Sequence, residues 1–122
     1  MRPVLIRPAD PRSLDEVGEG LRAAFVTVRD AVAVGSPVVI LVRAGDLLGH
    51  HSVYGAAYAN GLAGIARAAG FEGARAGWKV NVVALPDGDA GNEEAIITAV
   101  RDLGLTGQVL TLGAGLAGKV IP

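Results

Sequence analysis

The chain has 122 residues, 51% of them hydrophobic, with 11 Lys and Arg against 12 Asp and Glu for a net charge of -1. That balance gives no basic field to collect phosphate backbones, which disfavours nucleic acid as a partner, and the lack of cysteine excludes disulfides, thiolate metal sites and cysteine nucleophiles. The length suits a single domain, 1–122, and so apolar a composition points to surface buried against another molecule.

The first predicted element is a short strand, Val4 to Ile6, bracketed by Pro3 and Pro8. Its apolar run stops at Arg7, too soon for a signal-peptide core or a membrane span, so cytoplasmic residence without membrane attachment is the expectation. Ser13-Leu14-Asp15-Glu16 is a capping-box pattern. Apolar residues then recur at Leu14, Val17, Leu21, Phe25, Val28 and Val32, a helical stripe that Gly35 and Pro37 end.

Val38 to Val42 is continuously apolar and β-branched in character, as in a strand covered on both faces of a parallel sheet. Ser52 is placed to cap a helix from Val53 to Ala69. Its surface is read as carrying Gly55, Ala56, Ala59, Ala63, Gly64 and Ala66, small residues that let another helix approach. Val80 to Leu85 reads as a strand, Glu93 to Leu103 as a helix capped by Asn92, and Gln108 to Leu112 as the last strand. This alternation predicts an α/β fold, a partial Rossmann-like three-layer sandwich of about four parallel strands with helices on both faces and right-handed crossovers. No internal repeat, linker or low-complexity segment interrupts it.

Two segments carry a family resemblance. Leu105-Thr106-Gly107-Gln108-Val109-Leu110-Thr111-Leu112-Gly113-Ala114-Gly115 resembles the last strand of short-chain dehydrogenases/reductases, which usually reads "TGQVL-x-x-DGG". Trp78-Lys79-Val80-Asn81-Val82-Val83-Ala84-Leu85-Pro86-Asp87-Gly88 is similar to that family's "RVNAVAPG", at a family-like distance upstream. Followed back, the resemblance runs to Met1, where the family's fourth strand would begin, so it implies a degenerate reductase lacking the N-terminal nucleotide-binding half. Members of the 3-oxoacyl-ACP reductase kind are the ones it looks most like.

The resemblance also implies what has been lost. Arg7-Pro8-Ala9-Asp10 stands where the family has the Asn-Asn-Ala-Gly turn beside its cofactor. The catalytic Asn falls on Gly20, and the catalytic Ser near Val42 or Arg43. The family's Tyr and Lys fall on Gly55 and Ala59 counting back from Asn81, or on Tyr54 and Tyr58 counting forward from Arg43. No register supplies a lysine to lower a tyrosine's pKa or to hold a nicotinamide ribose, since the lysines are Lys79 and Lys119. No catalytic, cofactor-binding or metal-binding residue is therefore assigned, and no cofactor is expected.

Gly113-Ala114-Gly115-Leu116-Ala117-Gly118 spells G-x-G-x-x-G, yet only four residues follow, where a pyrophosphate site needs a helix and a further strand with an acidic residue. It reads as a glycine-rich tail. His50 and His51 lie where a ligand-binding loop would, but the single nearby carboxylate, Asp46, is too little for a metal site. Asp87-Gly88-Asp89 reads as a β-to-α turn. Tyr54 and Tyr58 read as packing residues.

Three functions remain open. One is a noncatalytic subunit or scaffold, assembling with itself or with an intact reductase; the resemblance extends to inactive reductase-like domains that brace or precede catalytic ones, and Leu116-Ala117-Gly118-Lys119-Val120 resembles the "LAGKV" opening an intact reductase domain. Another is a reduced NAD(P)-dependent oxidoreductase or acyl-CoA-binding module. The last is a small-ligand regulatory module on the same scaffold.

Overall fold

A computed structural model describes residues 2–86 and 93–112. The elements run β1 (Val4–Ile6), α1 (Leu14–Ala33), β2 (Val38–Arg43), α2 (Ala44–Leu47), α3 (Val53–Glu72), β3 (Val80–Leu85), α4 (Glu93–Leu103) and β4 (Val109–Thr111). The strands form one parallel sheet in the order β1-β2-β3-β4, with Val4 opposite Val38, Val38 opposite Val80, and Val82 opposite Val109. This is the α/β, Rossmann-like arrangement the alternation predicts.

Local chemistry sets the helix starts. The Ser13 hydroxyl accepts from the Glu16 N–H at 3.1 Å, and the Glu16 carboxylate accepts from the Arg12 N–H, one residue before the cap. Ser52 likewise accepts from the Gly55 N–H at 2.9 Å, so both predicted N-caps are present. Helix α1 ends where Gly35 takes a positive φ of 78°, a backbone state that costs glycine little. The short α2 has no counterpart in the sequence reading. The proposed Asn92 cap, the Asp87-Gly88-Asp89 turn and the glycine-rich segment 113–118 lie outside the described residues.

Side chains alternate across the strands, and the two faces are covered by different helices. Val38, Ile40, Val42, Val80, Val82 and Ala84 face α1 and α3, meeting Ala24, Val28, Leu62 and Ala66. Val39, Leu41 and Val83 face the other way, where Ile96 and Val100 of α4 pack on them. Because each new strand is added in the same direction, helices on opposite faces make crossovers of opposite hand. The expectation of uniformly right-handed crossovers therefore fails for β3-α4-β4. The physical reason is that β2 and β3 are apolar on both faces, and with α1 and α3 on one, the other needs its own cover.

Helix α3 corrects a second reading. Gly55, Ala59, Ala63 and Ala66 are buried inward, so most of its small residues bring the helix close to its own sheet and not to a partner. Gly61 does the same toward α1, where an added Cβ would come 2.7 Å from Leu21 Cδ2. Only Gly64 and the half-buried Ala56 of that set face outward, and Gly64 has open space before it. In α1, Leu14 and Phe25 belong to the predicted stripe yet are exposed, Phe25 by 56%.

The final unit is fastened to the sheet by polar contacts. Asn81, 1% exposed, donates from Nδ2 to the Leu105 carbonyl at 2.9 Å and accepts at Oδ1 from the Gln108 N–H at 3.1 Å. The Thr106 hydroxyl donates to the Trp78 carbonyl and accepts from the Val80 N–H, and the Gly107 N–H donates to the Val80 carbonyl. Gly107 has φ +69°, and a Cβ on Gly70 of α3 would come 2.6 Å from its Cα. The Thr-Gly-Gln and Asn81 positions that carry the family resemblance thus act here as a structural fastening.

Candidate functional site

The carboxyl ends of β1, β2 and β3 open into a crevice of about 350 Å³, the place where parallel α/β sheets bind ligands. Its walls come from the 7–11 loop after β1, from the end of β2 with α2, from one face of α3, and from Leu85 and Pro86 after β3. The α3 residues are Gly55, Tyr58, Ala59 and Leu62, spaced as one helical face.

At its polar end Arg43, the last residue of β2, turns to meet two carboxylates. Its Nε lies 2.9 Å from Asp46 Oδ2, and its Nη2 lies 3.4 Å from Asp46 Oδ1, a two-point pairing across the single turn of α2. The same Nη2 donates to Asp10 Oδ1 at 2.9 Å. The aspartates differ in setting: the Asp46 side chain is 10% exposed, that of Asp10 73%. Asp46 sits against the first turn of α3, whose dipole favours a carboxylate, and Gly55 makes the room, since a Cβ there would come 2.6 Å from Asp46 Oδ1.

Tyr58 joins the crevice to a second depression shared with Gly20, Glu16 and Glu19 of α1. Its phenol crosses Gly20, where a Cβ would lie 2.8 Å from both Cζ and Oη. Partial burial pushes its pKa above the ordinary tyrosine value by desolvating the phenolate. At neutral pH the hydroxyl stays protonated, a hydrogen-bond donor and not a base.

The four positions singled out by resemblance do converge. Arg43, Gly55 and Ala59 line the crevice, and Gly20 stands beside it under Tyr58. Of the two registers for the Tyr-Lys pair, Gly55 and Ala59 both face the crevice, whereas Tyr54 is absent from its walls. Tyr58, the lysine position of the second register, does face it. His50 and His51 are exposed in the turn between α2 and α3 and do not line it. No group of three metal-ligating side chains occurs among the described residues, nor is any described helix long and apolar enough to cross a membrane.

Sequence reasoning noticed Arg43 only as a lost serine and Asp46 only as a neighbour of the histidines. Their spacing of three residues after a strand was the available signal for the pair; nothing local pointed to Asp10, 33 positions away.

With this geometry in view, the fold is shared with two solved structures. The promiscuous reductase LugOII, which catalyses keto-reduction at C1 during lugdunomycin biosynthesis, superposes with a TM-score of 0.61 and 18% identity, over 88% of this chain and 57% of its own. A blue fluorescent protein from a metagenomic library, solved in complex with NADPH, gives 0.56 and 20% over 90% of this chain and 60% of its own. The chain thus spans less than two thirds of either structure. No protein-family model and no curated protein matches it.

Proposed function

We propose that the chain serves as a noncatalytic, reductase-like subunit, a degenerate counterpart of the 3-oxoacyl-ACP reductase kind that assembles with itself or with an intact reductase. The observation that carries this reading is the content of the crevice. Where the resemblance implies an Asn, a Ser, a Tyr and a Lys, the chain has Gly20, Arg43, Gly55 and Ala59. Proton transfer to a carbonyl needs a donor of suitable pKa and a group to tune it. Tyr58 is tuned the wrong way, upward by burial.

Assembly is supported by the outer face of α1 and α3. A mostly apolar groove of about 500 Å³ runs between them, lined by Phe25, Val28, Ile65 and Ala68 and floored by Gly61 and Gly64. Phe71, 87% exposed, lies on α3 as well, and aromatic side chains are enriched at association surfaces.

Two measurements test the reading. Calorimetric titration with NADH and NADPH should show no saturable binding, and neither should be oxidised with carbonyl substrates present. Sedimentation at micromolar concentration should show a species larger than one chain. Turnover of either dinucleotide would overturn the noncatalytic part, and a stable monomer with no co-purifying reductase would overturn the assembly part.

A further inference from the structure

We propose that the crevice at the strand ends is a binding site for a small monocarboxylate with an apolar body, and that Asp10 is the internal stand-in for its carboxylate. This goes beyond the assembly reading and does not depend on it.

Two aspartates hold one guanidinium unequally. Asp46 is buried, engages both Nε and Nη2 of Arg43, and is wedged against Gly55. It fixes the fork of the arginine in place. Asp10 is largely exposed, comes from a loop, and touches only Nη2, at 2.9 Å. Exposed ion pairs contribute little, so a ligand carboxylate with apolar contacts of its own can take that position at small cost.

The remaining walls say what the rest of the ligand is. Beyond Arg43 the lining includes a second cation, Arg7, and the apolar Leu41, Leu62, Leu85 and Pro86, with Tyr58 as a further polar group, protonated and able to donate. A space of about 350 Å³ admits a body of roughly ten to fifteen non-hydrogen atoms, the lower end of small-ligand sites. A phosphate would satisfy Arg43 but leave the apolar walls unfilled. A straight-chain or aryl carboxylate satisfies both.

The test uses the whole protein and two matched probes, hexanoate and the neutral hexanamide, with binding followed by calorimetry and by NMR shifts of the Arg43 Nε–H. Hexanoate should bind at least about tenfold more tightly than hexanamide, the scale of a charge-assisted hydrogen bond. Asp10→Asn, a change at an exposed side chain, should tighten hexanoate binding by about threefold, the scale of an exposed ion pair, and leave hexanamide unaffected. Leu85→Ala, at a partly exposed wall residue, should weaken hexanoate, and inorganic phosphate should bind no more tightly than hexanoate. Equal affinity for hexanoate and hexanamide, no shift at Arg43, or no gain in the Asp10→Asn protein would overturn the proposal. Sedimentation of the same samples reports on assembly separately, so the two readings fail independently.

Discussion

Arg43 and Tyr58 show how one side chain's setting decides its chemistry. A guanidinium cannot give up its proton at physiological pH, so Arg43 orients and attracts but does not relay. Tyr58 could relay only if its pKa fell, and burial moves it up. The consequence for stability has a definite sign. A raised tyrosine pKa means the folded state holds its proton more tightly than the unfolded chain, so the contribution is full below the unfolded value of ~10 and is lost as pH rises through the folded value. Stability of the wild-type chain should therefore fall more steeply above about pH 10 than that of Tyr58→Phe. Urea unfolding at a series of alkaline pH values measures it, and ultraviolet titration in a Tyr54→Phe background isolates the Tyr58 phenolate. At this scale little was legible beforehand. The sequence shows that Arg43 lacks a hydroxyl, but the closure onto Asp10 depends on a loop and a strand end being brought together by the sheet.

Elements were more legible than residues because caps and periodicity are local. Ser13 and Ser52 announce their helices, and the apolar runs of β2 and β3 announce strands buried on both faces. Orientation was the weaker point. Helix α3 carries small residues nearly all round, so its hydrophobic pattern has no sharp direction, and the inward face could not be told from the outward one. The hand of the last crossover was hidden for a related reason: a strand apolar on both faces does not say on which side the next helix lies.

Gly64 turns that ambiguity into an experiment. Its added Cβ meets nothing, so Gly64→Ala should stabilise the isolated fold by up to ~1 kcal/mol through helix propensity alone. A bulky charge there, as in Gly64→Glu, should leave the fold intact but obstruct the groove beside Phe25. Thermal unfolding should place Gly64→Ala at or above wild type and show Gly64→Glu still unfolding cooperatively, and sedimentation should show the Glu variant alone dissociated. By contrast, Ala59→Glu or Ala63→Glu would place a carboxylate in the core and unfold the chain before any interface was tested.

At the scale of the whole molecule, β1 is an edge of the sheet among the described residues. Its three residues pair with β2 and are half-buried, and β2 is their one strand partner among the described residues. Apolar strand edges of this kind invite association, but Pro3 and Pro8 cannot donate to a ladder and limit any pairing to the residues between them. If assembly covers this side, the amides of Val4, Leu5 and Ile6 that do not already pair with β2 should exchange slowly in the assembled protein and faster in Gly64→Glu. Equal exchange in both would separate this edge from the helical interface. The Rossmann-like class was visible in the alternation of elements, whereas nothing local to a sequence states how a sheet edge is finished.

The fastening around Asn81 has a consequence for the order in which the molecule is made. The two like-handed units, β1 through β3 with α1 and α3, can collapse on one face of the sheet without β4. Until the 105–108 segment arrives, however, Asn81 lies in a strand interior with neither of the partners that it has in the finished structure. Its burial is completed only as α4 and that segment dock, so the two bonds it then makes stabilise the finished structure and not the partly folded chain. Docking of that segment is then a late step, and the amide acts as a latch that slows escape and does little to speed arrival. Asn81→Ala should raise the unfolding rate markedly and change the refolding rate little, as read from the two arms of a chevron plot; an effect confined to refolding would place the latch in the nucleus instead. A ribosome would have to release residues 105–108 before this fold could close.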